Sequence, residues 1–419
     1  MHILLRIVFM GILSLVCLSQ TAVAAPMHDK ADYTGTISDS VNKVSIKWTP
    51  IAGAVQYRLN ITDKTVILKT VKPIYAAGCE LDVKDLSVDF KNLDWQVQGL
   101  DYNGAPVSEY SKPEPLSNAI INSDRPIATT QFDKMKYTPV YPTYSWIPYL
   151  NAAKYAIRVY HSDSGRFGTA DTLLHEYKTD TGFDFYDPSA YVKPGQYYWT
   201  IQARNVNDRP ISHWSKPIYF SVINKNIITA ALGDSITHGG GAISTPPGYL
   251  IYDWQTYCPV PVLNIGYSGD TTSAMLKRFT SDVLPFKPQV LVIMGGVNDI
   301  RTGITAQEVI NNLSQIRQLC IDNNIIPVLV TVTPVEPAKM QIVGRNPPDD
   351  WQSQLNTVNN WIMSYKNSID VASLLTDNSG LLRNDFTTDG LHPDMIGKEI
   401  IGSTIGQALL KNYPDIYSK

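Results

Sequence analysis

From Val44 onward, apolar and polar positions alternate. Val44, Ile46 and Trp48 flank polar Ser45 and Lys47, and Tyr57, Leu59 and Ile61 repeat the pattern. A period of two, filled with aromatic and β-branched residues, predicts strands with one buried face. The pattern is also duplicated. Trp48-Thr-Pro with Tyr57 nine residues on returns as Trp146-Ile-Pro with Tyr155 nine residues on. Trp95-Gln-Val-Gln precedes Pro113 of Ser-Lys-Pro by eighteen residues, and Trp199-Thr-Ile-Gln precedes Pro217 of Ser-Lys-Pro by the same eighteen. The two offsets, 98 and 104, place a net six-residue insertion in the second copy, around His161 to Ala170. Two copies with short strands and turn-rich joints predict two all-β sandwiches, over 25–121 and 122–224. The Trp and Tyr residues fall on the buried phase and are expected in the cores.

From Asn224 the texture changes. Ile227 to Leu232, Val260 to Ile265, Val290 to Met294 and Ile325 to Val332 are near-continuous apolar runs, and Ile369 to Val371 is a short last one. Helical patterns lie between them. Thr305-Ala-Gln-Glu308 is a capping box, and Val309, Leu313, Ile316 and Cys320 follow it at helical spacing. Asp349 to Met363 carries Trp351, Leu355, Val358 and Trp361 or Ile362 on one face, and Pro393 suits the first position of a final helix. Strands alternating with helices predict a parallel sheet covered on both faces, a three-layer α/β (flavodoxin-like) domain over 225–419. Such folds bind ligands at the carboxyl ends of their strands.

The first residues stand apart from both halves. Met1 to Arg6 carries one positive charge, Ile7 to Leu18 is almost wholly apolar, and Ala22-Val23-Ala24 is a small-residue cleavage pattern. This is the layout of a secretory signal peptide, residues 1–24, and the expected destination is the periplasm or the medium. The apolar run is short of the roughly 20 residues of a membrane span. Val16 before Cys17 is too large for a typical lipoprotein cleavage site. No later segment is long and apolar enough to span a bilayer. The formal net charge of the 419 residues is −3, or −4 without the single basic residue of 1–24. That balance supplies no electrostatic reason for nucleic acid or an anionic membrane as partner. Cys79, Cys258 and Cys320 remain outside the leader. An odd count is not a complete disulfide framework. Idle thiols are the favoured reading, with one Cys258–Cys320 bridge left open.

Four short motifs fall at strand ends of the second half. They are Gly233-Asp234-Ser235-Ile236-Thr237, Ser268-Gly269-Asp270-Thr271, Gly295-Gly296-Val297-Asn298-Asp299 and Asp389-Gly390-Leu391-His392-Pro393. Taken singly, each is ordinary loop chemistry, such as an Asp bonding its own turn or a helix entrance. Taken together they hold a hydroxyl, an imidazole and a carboxylate, the set that activates a serine nucleophile. The four blocks, in order and with family-like spacing, resemble the SGNH/GDSL hydrolases. The resemblance implies Ser235 as nucleophile, His392 as general base and acid, and Asp389 as the orienter of its ring. It implies an oxyanion hole made by the backbone N–H groups of Ser235 and Gly269 and the side-chain amide of Asn298. The Gly-x-Ser-x-Gly elbow of α/β-hydrolases is absent. The duplicated front half resembles fibronectin type III-like domains.

Other residues keep two readings. His238 is a candidate pocket or substrate contact, or an exposed loop histidine. Arg301 is a candidate contact for a polar substrate, with a salt bridge the favoured alternative. Asp270 and Asp299 are expected to hold loops. Asp234, His238, Asp389 and His392 match no compact metal motif, so neither metal nor other cofactor is expected. The resemblance implies ester hydrolysis through an acyl-enzyme without naming the ester. Secretion and two leading β units favour a carbohydrate O-acetyl esterase acting on an acetylated glycan. The rivals are a lipid-directed esterase of lysophospholipase or thioesterase type, and a glycan-binding or adhesion protein with an idle esterase domain. The oligomeric state stays open.

Overall fold

The computed structural model describes residues 43–417 apart from 85, 87, 88, 163–170, 240–248 and 345. The expected signal peptide and most of the stretch expected to hold the insertion lie outside the described residues.

The first half is β-rich. Lys43–Lys47 pairs with Gly78–Asp82 and with Ile120–Ile121 in one antiparallel sheet. Gln56–Asp63 lies between Val66–Ile74 and Asp94–Leu100 in another, which Glu114–Pro115 completes. Val44, Ile46, Cys79 and Leu81 of the first sheet share one core with Leu59, Ile61, Trp95 and Val97 of the second. The second copy follows the same course. Lys154–Ser162 lies between Thr172–Thr179 and Gly195–Arg204, with Ile218–Val222 at the edge. Thr143–Ser145 pairs with Asp184–Tyr186 in the smaller sheet.

The sequence repeat is a repeat of contacts. Trp48 meets Tyr57 edge-on at 5.4 Å between ring centroids, and Trp146 meets Tyr155 at 5.0 Å. The Ile51 N–H donates to the Tyr57 hydroxyl at 3.4 Å, as the Tyr149 N–H does to the Tyr155 hydroxyl at 2.8 Å. The Ser-Lys-Pro serines match as well. Ser111 Oγ accepts from the Val97 N–H at 3.0 Å, and Ser215 Oγ accepts from the Ile201 N–H at 3.1 Å. Strict alternation fails at Ser45, which is buried because its hydroxyl donates to Glu80 Oε1 at 3.0 Å. Glu80 also accepts from the Leu150 N–H at 2.9 Å, and so ties the two copies together.

The second half holds a parallel sheet in the order Val262–Gly266, Thr229–Gly233, Val290–Met294, Ile326–Leu329. The first three of these strands are buried at every position, as helices on both faces require. The expected fifth strand at Ile369 is reduced to a single parallel bridge with Val330. Helix Ala306–Asp322 begins where Thr305 Oγ1 accepts from the Glu308 N–H, and it buries Val309, Leu313, Ile316 and Cys320. Helix Trp351–Met363 buries Trp351, Leu355, Val358 and Ile362. The final helix, Met395–Asn412, does not start at Pro393. Asp394 is its N-cap, because its carboxylate accepts from Ile396 N–H and Gly397 N–H and satisfies donors that a proline would leave open. Cys79, Cys258 and Cys320 are free thiols. No helix among the described residues is long and apolar enough to cross a membrane.

The shared Trp–Tyr contact yields a stability prediction. Tyr155→Phe leaves the buried Tyr149 N–H without its 2.8 Å acceptor. It should cost about 1–3 kcal/mol in chemical denaturation. Tyr57→Phe should cost less, because its bond is longer, at 3.4 Å, and only partly buried.

Candidate active site

The strand ends set the positions. Ser235 is the first residue of a single helical turn, Ser235–His238, entered directly from Thr229–Gly233. Asp234 caps that turn by accepting the Ile236 N–H at 2.9 Å. Gly269 lies in the turn after Val262–Gly266, and Asn298 in the short helix Val297–Thr302 after Val290–Met294. Asp389 and His392 sit on the loop before the final helix. That loop is clipped at two points. Thr387 Oγ1 donates to the His392 carbonyl at 2.9 Å and accepts from the Gly390 N–H at 3.0 Å. The Glu336 N–H donates to the Gly390 carbonyl at 2.7 Å. Gly390 has φ +79°, and a Cβ there would stand 2.3 Å from the Glu336 carbonyl oxygen, so only glycine fits.

Three side chains form one line. Ser235 Oγ lies 2.8 Å from His392 Nε2, and His392 Nδ1 lies 2.6 Å from Asp389 Oδ2. All three residues are buried. Burial alone would raise the Asp389 carboxyl. The adjacent His392 ring, with N–H groups of His392 at 2.8 Å and Leu391 at 2.9 Å on Oδ1, outweighs it and holds Asp389 below the usual carboxylate range. An ionised Asp389 takes the proton-bearing Nδ1 of a neutral imidazole. Nε2 is then free to accept from the serine hydroxyl.

The other two expected donors, Gly269 and Asn298, sit at the ends of the neighbouring strands. Gly269 has φ +90°, and a Cβ there would meet nothing within 4 Å. Asn298 Oδ1 accepts from Arg301 Nε at 2.9 Å, and Nδ2 donates to the Asp270 carbonyl at 2.9 Å. These two bonds fix the amide orientation and leave its second N–H for a further acceptor. Asp299 takes the Thr272 N–H and hydroxyl, which binds the two strand-end segments to each other.

Residues 231–400 match the model of the GDSL-like Lipase/Acylhydrolase family. This chain is an ester hydrolase. Solved structures similar to it include a GDSL-like lipase from Bacteroides thetaiotaomicron, 23% identical, with 45% of this chain and 91% of that chain covered and a TM-score of 0.37. A lipase/acylhydrolase from Enterococcus faecalis is 20% identical, with 44% and 96% covered and a TM-score of 0.32. No curated protein matches the chain.

Two expectations about the hydrolase change. His238 is not an exposed loop histidine, at 4% exposure, and neither ring nitrogen is free for a substrate. Nδ1 accepts the Ser268 N–H at 3.1 Å, with Ser268 Oγ at 2.9 Å, so Nε2 carries the proton and donates to the Tyr141 carbonyl at 2.7 Å. Arg301 holds the Asn298 amide through its Nε. Asp270, as expected, holds a loop, pairing with Arg278 at 2.6 Å.

The sequence reading missed three groups. Arg278 donates to Asp270 Oδ2, to Asp282 Oδ2 at 3.2 Å and to the Gly233 carbonyl at 3.0 Å. Its signal was Asp282, a charge on the buried face of Thr272–Asp282 beside Met275 and Phe279. Lys398 is fully buried and donates to the Ile236 carbonyl at 2.6 Å, beneath the Ser235 turn. It sits on an apolar stripe with Ile401, Ile405 and Leu409, a visible anomaly. Tyr141 and Tyr186 come from the β-rich half, and the Tyr186 hydroxyl donates to the Gly239 carbonyl at 3.3 Å. Nothing local marks either. Among the described residues, no group of three or more His, Cys, Asp or Glu is placed to hold a metal ion.

Burial drives the pKa of His238 down to about 4, from an ordinary 6.5. A depressed histidine contributes stability above 6.5 that is lost as pH falls through about 4. Asp234, pushed up to about 6 by burial, acts in the opposite sense, its contribution fading as pH rises through about 6. Comparison with His238→Asn isolates the histidine. The stability advantage of the wild type should shrink between about pH 6.5 and about pH 4 in denaturation measured at stepped pH. A constant difference across that window would contradict a neutral buried His238.

Proposed function

We propose that the chain is a serine esterase in which Ser235 attacks the carbonyl carbon of a carboxylic ester. The observation that carries this reading is the unbroken line from Ser235 Oγ through His392 to Asp389, at 2.8 and 2.6 Å. His392 Nε2 takes the hydroxyl proton as the Oγ–carbon bond forms. The carbonyl oxygen becomes an oxyanion and meets the N–H groups of Ser235 and Gly269 and the spare amide N–H of Asn298. The intermediate collapses, the alcohol leaves, and His392 returns the proton to it. Water, deprotonated by His392, then attacks the acyl-enzyme and releases the acid. Asp389 stays ionised and steadies the imidazolium.

The substrate we infer is an O-acetylated glycan. Two β-rich units ahead of the α/β half support an extracellular glycan over a lipid. The same reading takes residues 1–24 as a secretory signal and places the enzyme outside the cytoplasm. It takes 25–121 and 122–224 as fibronectin III-like sandwiches and 225–419 as the hydrolase domain. Paired sheets with a shared core and the duplicated Trp–Tyr contacts support the two sandwiches.

The test is a panel of acetylated oligosaccharides and acyl esters of graded length. Acetate release from a glycan should exceed cleavage of long-chain esters, and the reverse order with no glycan deacetylated sinks the substrate assignment. Ser235→Ala should abolish turnover and labelling by an organophosphonate. Asn298→Ala should lower kcat by ~10²–10³, the usual cost of one oxyanion donor. A change in KM alone would contradict its role.

A further inference from the structure

We propose that Tyr141, a residue of the β-rich half, is a positioning residue for the turn that carries the Gly269 oxyanion donor. The inference rests on the serine-esterase reading of Ser235, Gly269 and Asn298.

Gly269 cannot be held by packing. It has no side chain, its φ is +90°, and the space where a Cβ would stand is empty to 4 Å. Its own turn supplies two backbone bonds, Tyr267 N–H to the Gly233 carbonyl at 3.0 Å and Asp270 N–H to the Tyr267 carbonyl at 3.2 Å. A glycine so placed is the most mobile residue a chain offers, yet an oxyanion donor acts only when preorganised. The direction of its N–H therefore depends on how its neighbours, Ser268 and Asp270, are anchored.

Besides the Asn298 amide on the Asp270 carbonyl, one anchor on each side leads to Tyr141. On one side, the Ser268 N–H donates to His238 Nδ1, and His238 Nε2 donates to the Tyr141 carbonyl at 2.7 Å. On the other, Asp270 pairs with Arg278 at 2.6 Å, Arg278 pairs with Asp282, and Asp282 Oδ2 accepts from the Tyr141 hydroxyl at 2.6 Å. The Tyr141 ring also packs edge-on against Tyr267, the first residue of the turn, at 4.6 Å. Tyr141 is itself braced. The neighbouring Val140 N–H donates to the Asn264 carbonyl at 2.9 Å, and the Val140 carbonyl accepts from the Tyr191 N–H at 2.8 Å. On the other side the Pro142 carbonyl accepts from the Asp187 N–H at 3.0 Å. The β-rich half thus acts as a strut that grips the turn from both ends.

Two substitutions in the full chain separate the arms. Tyr141→Phe removes the hydroxyl arm and keeps the carbonyl. His238→Asn keeps an acceptor for the Ser268 N–H and releases Tyr141. Each should lower kcat on p-nitrophenyl acetate about tenfold, a fraction of the cost of deleting an oxyanion donor. KM should stay within about twofold, because the loss is confined to the transition state. Amide hydrogen exchange of Tyr267 to Asp270 should quicken in both variants, with that of Val290–Met294 unchanged. Unaltered kcat in both variants, a loss carried by KM, or slowed turnover with unaltered exchange in the turn would each overturn the proposal. So would a lowered melting temperature with wild-type kcat. If Ser235→Ala retains wild-type activity, the esterase assignment fails instead, and the exchange data alone decide whether Tyr141 holds the turn.

Discussion

The 2.8 Å hydrogen bond between Ser235 Oγ and His392 Nε2 joins residues 157 apart in sequence, and much of the α/β half serves to keep those two atoms in contact. A bond of that length tolerates errors of only a few tenths of an ångström. Each partner is accordingly placed through its backbone. Ser235 is carried on the first turn after a strand buried on both faces, and its helix is started by the Asp234 cap. His392 is held by its own N–H on Asp389 and by its carbonyl under the Thr387 hydroxyl. The Gly390 carbonyl bonded to Glu336 then fastens the loop to the segment that follows the fourth parallel strand. The two ends of the bond therefore hang from one sheet.

Charge is the second constraint. Asp234, Asp253, Asp389 and Lys398 are all buried around the Ser235 turn, and burying charge is costly unless it is paired and hydrogen-bonded. The carboxylates respond differently because their partners differ. Asp389 faces an imidazole and two backbone N–H groups, and stays on the ionised side. Asp234 has one N–H partner, and burial pushes it up to about 6. Asp253 is raised by burial despite the nearby lysine, and Lys398 is lowered by burial against the pull of Asp253, Asp234 and Asp389. Asp389 is thus kept charged at low cost while its neighbours are free to shed their charge.

What could be read from the sequence was what is local. The helix Ala306–Asp322 was legible to its cap and its buried positions, because both depend on residues a few places apart. The paired Trp–Tyr positions were legible because duplication printed them twice. The loop-end positions of Ser235, Asn298, Asp389 and His392 were legible because each lies in a short motif. The fate of His238 was not, since its ring bonds a carbonyl 97 residues upstream. Tyr141 reaches Asp282 across 141 residues. The fifth strand was over-read, because a short apolar run does not reveal that only Ile369 finds a strand neighbour. The final helix started late because Asp394 caps better than Pro393 initiates.

The two halves also share their cores. Buried residues of the second β unit, including Tyr144, Trp199 and Phe220, are continuous with Ala230, Leu232 and Ile265 of the parallel sheet. Tyr249 and Tyr252 of the α/β half belong to the core of the first β unit, and the Ala77 N–H donates to the Tyr249 hydroxyl at 2.6 Å. A spacer needs no such mixing, since a few polar linker residues suffice to separate domains. Each large side chain buried across the junction contributes roughly 1.5–3 kcal/mol of apolar burial, so separating the halves would cost more than bending a linker. Other aromatic side chains flank His238 at the end of the Ser235 turn, with Tyr186 edge-on to it at 5.2 Å and Tyr267 stacked on it at 6.1 Å. The second β unit and the α/β half thus share one core, the first β unit's core takes in two tyrosines of the α/β half, and a change in the β-rich half reaches the Ser235 turn through contacts rather than through distance.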